Sequence, residues 1–304
     1  MSLVAVSFLF YEIFVRHDAI TLVTDYGDII KQNSNSILLV FMLMPINWLL
    51  ETYKWRRLVN HRDAMTGPQA FQGVLMGVAL GLFTPNGVGE FAGRVWVVKD
   101  DQREKAVSSS IAGSLAQLCI TITIGGAFVV FFTSQFVAQE WLRTAQVLAV
   151  LTVVIGIISY YKMPVIASII LSKISFFDRY DKFRTSLSSF SRKALSEAYF
   201  WSLLRYIVFC SQLGILIYAI GEFEMYEVIG LVSLIPVYYY VQTIIPTVAL
   251  SEIGVRGMIM MFLFSGVLME SEVLLISFLI WVINLIIPGL IGLLFLAKTK
   301  FVKQ

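Results

Sequence analysis

Long apolar runs separated by short polar clusters organise this chain. They cover residues 3–15, 37–50, 71–84, 107–132, 147–158, 200–220, 228–245, 258–268 and 273–297, and the fifth continues past Pro164 to Leu171. Several reach the ~20 residues that a helix needs to cross hydrocarbon. A bilayer offers backbone groups no water, so each run is predicted as a helix that satisfies its own hydrogen bonds. The first run is short and holds Glu12; it is read as tilted or shielded, or as a chain that begins within its first helix. Two runs are interrupted: 71–84 stops at Pro85 and resumes toward Val98, and 228–245 stops at Pro246. Proline inside a helix removes a backbone hydrogen bond and clashes with the preceding turn, so both stops predict half-helices.

One stretch has helical periodicity without spanning length. Phe176, Tyr180, Phe183, Leu187, Phe190 and Ala194 recur at alternating four and three residues and share one helix face. Arg179, Lys182, Arg184 and Lys193 surround them. Residues 175–196 are read as an amphipathic helix on the anionic cytoplasmic leaflet, or as a connecting helix packed against the bundle.

Composition turns these runs into a class. Of 304 residues, 58% are hydrophobic and 14% charged, which leaves too little polar sequence for a separate soluble catalytic domain. The expectation is one all-α polytopic membrane domain over residues 1–304. The net charge of +3 reflects basic loops and gives no nucleic-acid surface. Lys54, Arg56, Arg57 and Arg62 mark one loop as cytoplasmic; Lys173, Arg179, Lys182, Arg184, Arg192 and Lys193 mark another. Lys298, Lys300 and Lys303 place the C-terminus on that side, and the acidic turns 222–224 and 270–272 outside. The N-terminus has no signal peptide of ordinary form. Cys119 and Cys210 lie in apolar runs as reduced thiols, and His17 and His61 have no metal spacing, so neither metal nor cofactor is expected.

The candidate chemistry lies at the two interruptions. Thr84-Pro85-Asn86-Gly87-Val88-Gly89-Glu90-Phe91-Ala92-Gly93-Arg94 and Pro246-Thr247-Val248-Ala249-Leu250-Ser251-Glu252-Ile253-Gly254-Val255-Arg256 each carry Glu and Arg four apart after a proline. Charge at membrane depth is costly and points to function. The first stretch begins and ends beside basic loops, the second beside acidic turns. As re-entrant hairpins they would enter from opposite faces, the inverted-repeat pattern of transporters. The second is also long enough for two ordinary spans with Arg256 at the cytoplasmic surface. Asn86 and Ser251 are candidate helix caps, and the amides of a new half-helix suit an anion. Arg94 and Arg256 could hold a phosphate in forked geometry. Glu90 and Glu252 could neutralise them or bind a cation or proton. The plainer reading of each pair is a helix salt bridge.

Arg205, in the run 200–220, either snorkels to the interface or serves the cavity. The candidate substrate-binding set is therefore Arg94, Arg256, Glu90, Glu252, Asn86, Thr84 and Arg205, with Pro85, Gly87, Gly89, Pro246 and Gly254 as backbone breaks. Asn47, Gln117, Gln212, Gln242 and Asn284 are read as amides joining helices. Glu51, Lys54 and Arg56 are read as topological anchors at a span's end. Enzyme motifs fail. Gly87-Val88-Gly89 with Ala92 lacks the strand-turn-helix setting of a dinucleotide loop, and neither a phosphate-loop lysine nor a credible nucleophile–histidine set occurs.

Three patches resemble the lysylphosphatidylglycerol synthase transmembrane region family, also called flippase-like domain proteins. They are Trp48-Leu49-Leu50-Glu51-Thr52-Tyr53-Lys54-Trp55-Arg56-Arg57-Leu58, Gly81-Leu82-Phe83-Thr84-Pro85-Asn86-Gly87-Val88-Gly89-Glu90 through Arg94, and Ile253-Gly254-Val255-Arg256. Two departures stand out: Val248-Ala249-Leu250-Ser251-Glu252 replaces the family's glycine-rich approach, and Gly257 stands where a glutamate often follows its arginine. The resemblance implies a helical domain that moves phospholipids or polyprenyl glycolipids between leaflets of a bacterial-type inner membrane. In aminoacyl-phosphatidylglycerol synthases this region precedes a cytosolic transferase domain. The expectation here is the translocating part without that domain, or a lipid-presenting partner of a separate transferase.

Overall fold

The computed structural model describes residues 19–59, 65–84, 87–132, 139–172, 181–221, 223, 225–245, 249–264 and 267–302. Every long element among them is helical. In chain order these are α1 (Ala19–Gln32), α2 (Ser34–Val59), α3 (Gly67–Gly81), α4 (Glu90–Val95), α5 (Arg103–Phe132), α6 (Gln139–Ser172), α7 (Asp181–Ser188), α8 (Arg192–Ile220), α9 (Met225–Ile244), α10 (Ala249–Phe264), α11 (Glu270–Trp281) and α12 (Ile287–Val302). A π-helical turn, Val282–Ile286, makes α11 and α12 one continuous rod. Pro288 lies just beyond it; a proline has no N–H to offer the preceding turn, and the widened turn absorbs the mismatch. The run at 3–15 falls outside the described residues, and α1 lies where the periodicity predicted no helix.

Five helices among the described residues are long and apolar enough to cross a membrane: α2, α5, α6, α8 and the α11–α12 rod. On α6 the outward side chains Val147, Leu151, Val154, Ile158, Val165 and Ile169 are all exposed. An apolar band of that length suits hydrocarbon and not water. Helix α2 buries a single stripe, Val40, Met44, Asn47, Trp48, Glu51, Trp55 and Leu58, against α8, α3 and α5. Val40, Met44, Asn47, Glu51, Trp55 and Leu58 recur at four and three residues, as helical geometry requires, and Trp48 widens the stripe.

One helical pair, α3 with α4, is too short to cross. At ~1.5 Å per residue α3 is about 22 Å long, short of a hydrocarbon core of ~30 Å. It starts at a capping box: Gln69 N–H donates to Thr66 Oγ1 at 3.4 Å, and Thr66 N–H donates to Gln69 Oε1 at 2.9 Å. The chain then turns, and α4 packs back on α3. Their contact is backbone against backbone: a Cβ on Gly77 would lie 2.7 Å from the Glu90 carbonyl oxygen, and one on Gly93 would collide with the Gly77 nitrogen. At the turn Gly87 takes φ +67°, a conformation that favours glycine. Thr84 Oγ1 accepts from the Gly89 N–H at 2.7 Å and donates to the Gly81 carbonyl at 3.2 Å, closing the loop. A second pair, α9 with α10, is also in contact.

Neighbouring contacts show where each hairpin starts. Trp55 Nε1 donates to the Ala106 carbonyl at 3.2 Å, and Arg57 pairs with Glu197 at 3.0 Å, so α2 ends where α5 and α8 begin. The first hairpin leaves from that end. Gly221, at the far end of α8, abuts Phe223 and Leu268, which flank the start of α9 and the end of α10. The second hairpin therefore starts at the other end of α8.

The amphipathic stretch expected over 175–196 is not one helix in its described part. Helix α7 ends at Ser188, and Ser191 caps α8 by accepting from Ala194 N–H at 3.2 Å. Phe183, Leu187, Phe190 and Ala194 pack with Tyr160, Met163 and Leu195, so this apolar face lies against the bundle. Lys105 sits 4.0 Å from the Phe190 ring centroid and fastens the turn to α5.

Candidate functional site

The centre of the molecule holds a cluster of buried charge built around Glu51. Lys54 Nζ lies 2.7 Å from Glu51 Oε2, Arg205 Nη1 2.8 Å from the same oxygen, and Arg94 Nη2 3.1 Å from Oε1. Glu51, Lys54 and Arg94 are only 2%, 1% and 2% exposed. Arg94 Nη2 also meets Glu90 Oε2 at 3.2 Å, the expected pair four apart on α4. Lys54 completes its shell by donating to the Gly113 carbonyl at 3.0 Å and to Ser202 Oγ at 3.2 Å. Ions buried in this way are tolerated only when paired and hydrogen-bonded; Glu51 and Lys54 meet both conditions, whereas Arg94 is paired through Nη2 and its Nε and Nη1 are buried without a partner. Two carboxylates face three cations, so the described cluster carries an excess positive charge.

This corrects the reading of Glu51 and Lys54 as surface anchors. Both are interior because α2 continues to Val59 and the basic surface residues are the later Arg56 and Arg57. The spacing Asn47, Glu51, Lys54 put all three on one helix face, and that was the signal available in the sequence.

In front of the cluster lies a cavity of about 860 Å³. The first hairpin contributes Gly81, Gly87 and Glu90; the second contributes Gln242, Thr243 and Ile245 from its turn end, with Arg256 on α10. Serine, glutamine and threonine come from Ser114, Gln117 and Thr121 on α5, and Arg205 and Phe209 come from α8. These positions are near the middle of both long helices, so the turn of the first hairpin and the C-terminal end of α9 lie deep in the bundle. A polar recess of about 270 Å³ reaches Glu51, Lys54, Glu90 and Arg205.

The expected site residues divide. Glu90, Arg205 and Arg256 line the cavity. Arg205 does not snorkel: Nε donates to Asn47 Oδ1 at 2.6 Å, and its guanidinium lies 4.9 Å from the Trp48 ring centroid and 5.1 Å from that of Phe209. Arg94 is packed behind the lining, with Trp55 at 5.8 Å, and positions Glu90 and Glu51. Thr84 and Gly89 shape the turn. Gly254, expected at a break, lies inside α10, because that helix already begins at Ala249. Pro85, Asn86 and Pro246 fall outside the described residues, as do the side chains of Ser251 and Glu252. The amides Asn47 and Asn284 do join helices: Asn47 Nδ2 donates to Asn284 Oδ1 at 3.3 Å.

The bundle thus holds a buried, positively biased cavity between the α3–α4 and α9–α10 pairs. A model of the lysylphosphatidylglycerol synthase TM region matches residues 19–292. The chain belongs to this family. The match takes in both helical pairs, the Glu51 cluster and the part of the rod that carries Asn284. No curated protein matches the chain significantly. Membership makes this a multi-pass membrane protein of a lipid-associated family.

Proposed function

We propose that the protein carries an anionic lipid, either a phospholipid or a polyprenyl-linked glycolipid, between the leaflets of a bacterial-type inner membrane. The observation that supports this most is the meeting of both hairpins and the cationic excess in one cavity at mid-bundle. A charged headgroup cannot enter hydrocarbon bare, because desolvation of its charge is uncompensated there. A wet cavity with fixed cations supplies that compensation while acyl or prenyl chains remain in lipid. In this reading Arg205 and Arg256 meet the headgroup, Glu90 balances them in the empty state, and Arg94 holds Glu90 and Glu51 in place. The hairpins, starting from opposite ends of α8, act as inverted repeats that open the cavity to either leaflet in turn. In the same reading the C-terminus is cytoplasmic, which the basic loops support.

Purified full-length protein in liposomes tests this reading. Leaflet exchange of a fluorescent phosphatidylglycerol is expected to exceed that of empty liposomes, and Arg256→Ala to reduce it at least tenfold. No acceleration by the wild-type protein overturns it. Tight binding without exchange, together with co-purification of a soluble transferase, moves the assignment to a lipid-presenting subunit.

A further inference from the structure

Along one wall of the cavity the side-chain groups without partners are mainly hydrogen-bond donors. Arg205 is held on its edges by Asn47 and Glu51 and on its faces by Trp48 and Phe209. Its remaining nitrogen, Nη2, has no hydrogen-bond partner among the described residues. Asn47, which orients that guanidinium, also fixes Asn284 through its Oδ1, leaving Asn284 Nδ2 buried and unpartnered. The indole Nε1 groups of Trp48 and Trp281 are buried and unpartnered as well. All four residues line the cavity, and Asn284 is 93% buried, at 7% exposure. Trp281 and Asn284 both reach the cavity from the rod at its π turn.

Buried N–H groups in folded proteins almost always have an acceptor. Three such donors in the cavity lining, together with a cationic guanidinium locked in plane whose Nη2 is open, point to a ligand that offers several acceptor oxygens. We propose that Arg205 and Asn284 form an oxyanion subsite, in which the tetrahedral phosphate of a lipid headgroup takes the Arg205 Nη2 and Asn284 Nδ2 donors, with the Trp48 and Trp281 indoles at its edge. Gln117 Oε1, an unpartnered acceptor on α5, suits a hydroxyl of the same headgroup. This assignment rests on the lipid-carrying reading above and places its anion contact on α8 and the rod. The Glu90–Arg94 pair of the first hairpin is then a counter-charge, not the phosphate ligand. The locked fork also sets specificity: a lysine at this position keeps the charge but cannot meet Asn47, Glu51 and a ligand in one plane.

Native mass spectrometry of the full chain in detergent, with phosphatidylglycerol, diacylglycerol and inorganic phosphate as probes, tests the subsite. Arg205→Lys and Asn284→Asp are expected to weaken phosphatidylglycerol binding at least tenfold and leave that of phosphate-free diacylglycerol unchanged. Trp281→Phe keeps the ring and removes one donor; it should weaken phosphatidylglycerol about threefold, and keeps the test decisive where the arginine variant fails to fold. Wild-type-like binding by Asn284→Asp and Trp281→Phe overturns the subsite. Displacement of phosphatidylglycerol by an equal concentration of inorganic phosphate overturns the lipid as its source. Lipid exchange by the wild type alongside normal binding by the variants rejects the subsite alone. Neither binding nor exchange of phosphatidylglycerol by the wild type rejects the functional reading and the subsite with it.

Discussion

Glu51 accepts from Lys54, Arg94 and Arg205 at once, and none of the three reaches bulk water freely. Removing one member of a buried ionic set leaves the others uncompensated, typically at ~3–5 kcal/mol. Glu51→Ala is therefore expected to lower the thermal midpoint sharply in detergent, by a loss of about 3–5 kcal/mol. Arg57→Ala is the contrast. Its pair with Glu197 is exposed, at 54% and 33%, and exposed pairs contribute roughly 0–1 kcal/mol, so the midpoint should hardly move. The same melting series checks both. In sequence the acidic and basic residues ending the second run read equally well as an interface anchor. Arg94 and Arg205, 43 and 154 positions away in the chain, decide otherwise. No local pattern carries that information.

Among the elements, the first hairpin depends most on residue size. Its two arms touch where Gly77, Gly89 and Gly93 have no side chains. Gly93→Ala puts a methyl group into the backbone of α3, and overpacking of this kind costs typically about 1–3 kcal/mol. A lowered midpoint together with slower lipid exchange is expected, because Glu90 and Arg94 move with the displaced arm; an unchanged midpoint would contradict the close packing. Gly87→Ala, at positive φ, should cost about 1 kcal/mol with a smaller shift. The proline and its following small residues made this interruption legible in the sequence. The extent of α4, from Glu90 only to Val95, was not, since backbone contact with α3 rather than propensity sets it. The π turn was equally hidden: nothing in an apolar run before Pro288 marks which residues widen.

At the level of the whole molecule, the contacts fix which ends of the helices lie together. Single cysteines placed beside Arg57 and beside Glu197 should be labelled from one side of a sealed vesicle, and those beside Gly221 and Leu268 from the other. Labelling of all four from one side would break the proposed opposite approach of the hairpins. The apolar runs by themselves determined a helical membrane protein and marked both interruptions, because a 20-residue apolar stretch has few alternatives to a spanning helix and proline has few places inside one. Patches in the same sequence, including the first interruption, pointed to the family to which the chain belongs. Only the tertiary structure decided that Glu51 and Lys54 are interior, that Arg94 supports the cavity from behind while Arg205 and Arg256 line it, and that Asn47 and Asn284 link α2 to the rod. Burial and ion pairing depend on which distant helices pack together, and that packing is a property of the assembled bundle rather than of any single run.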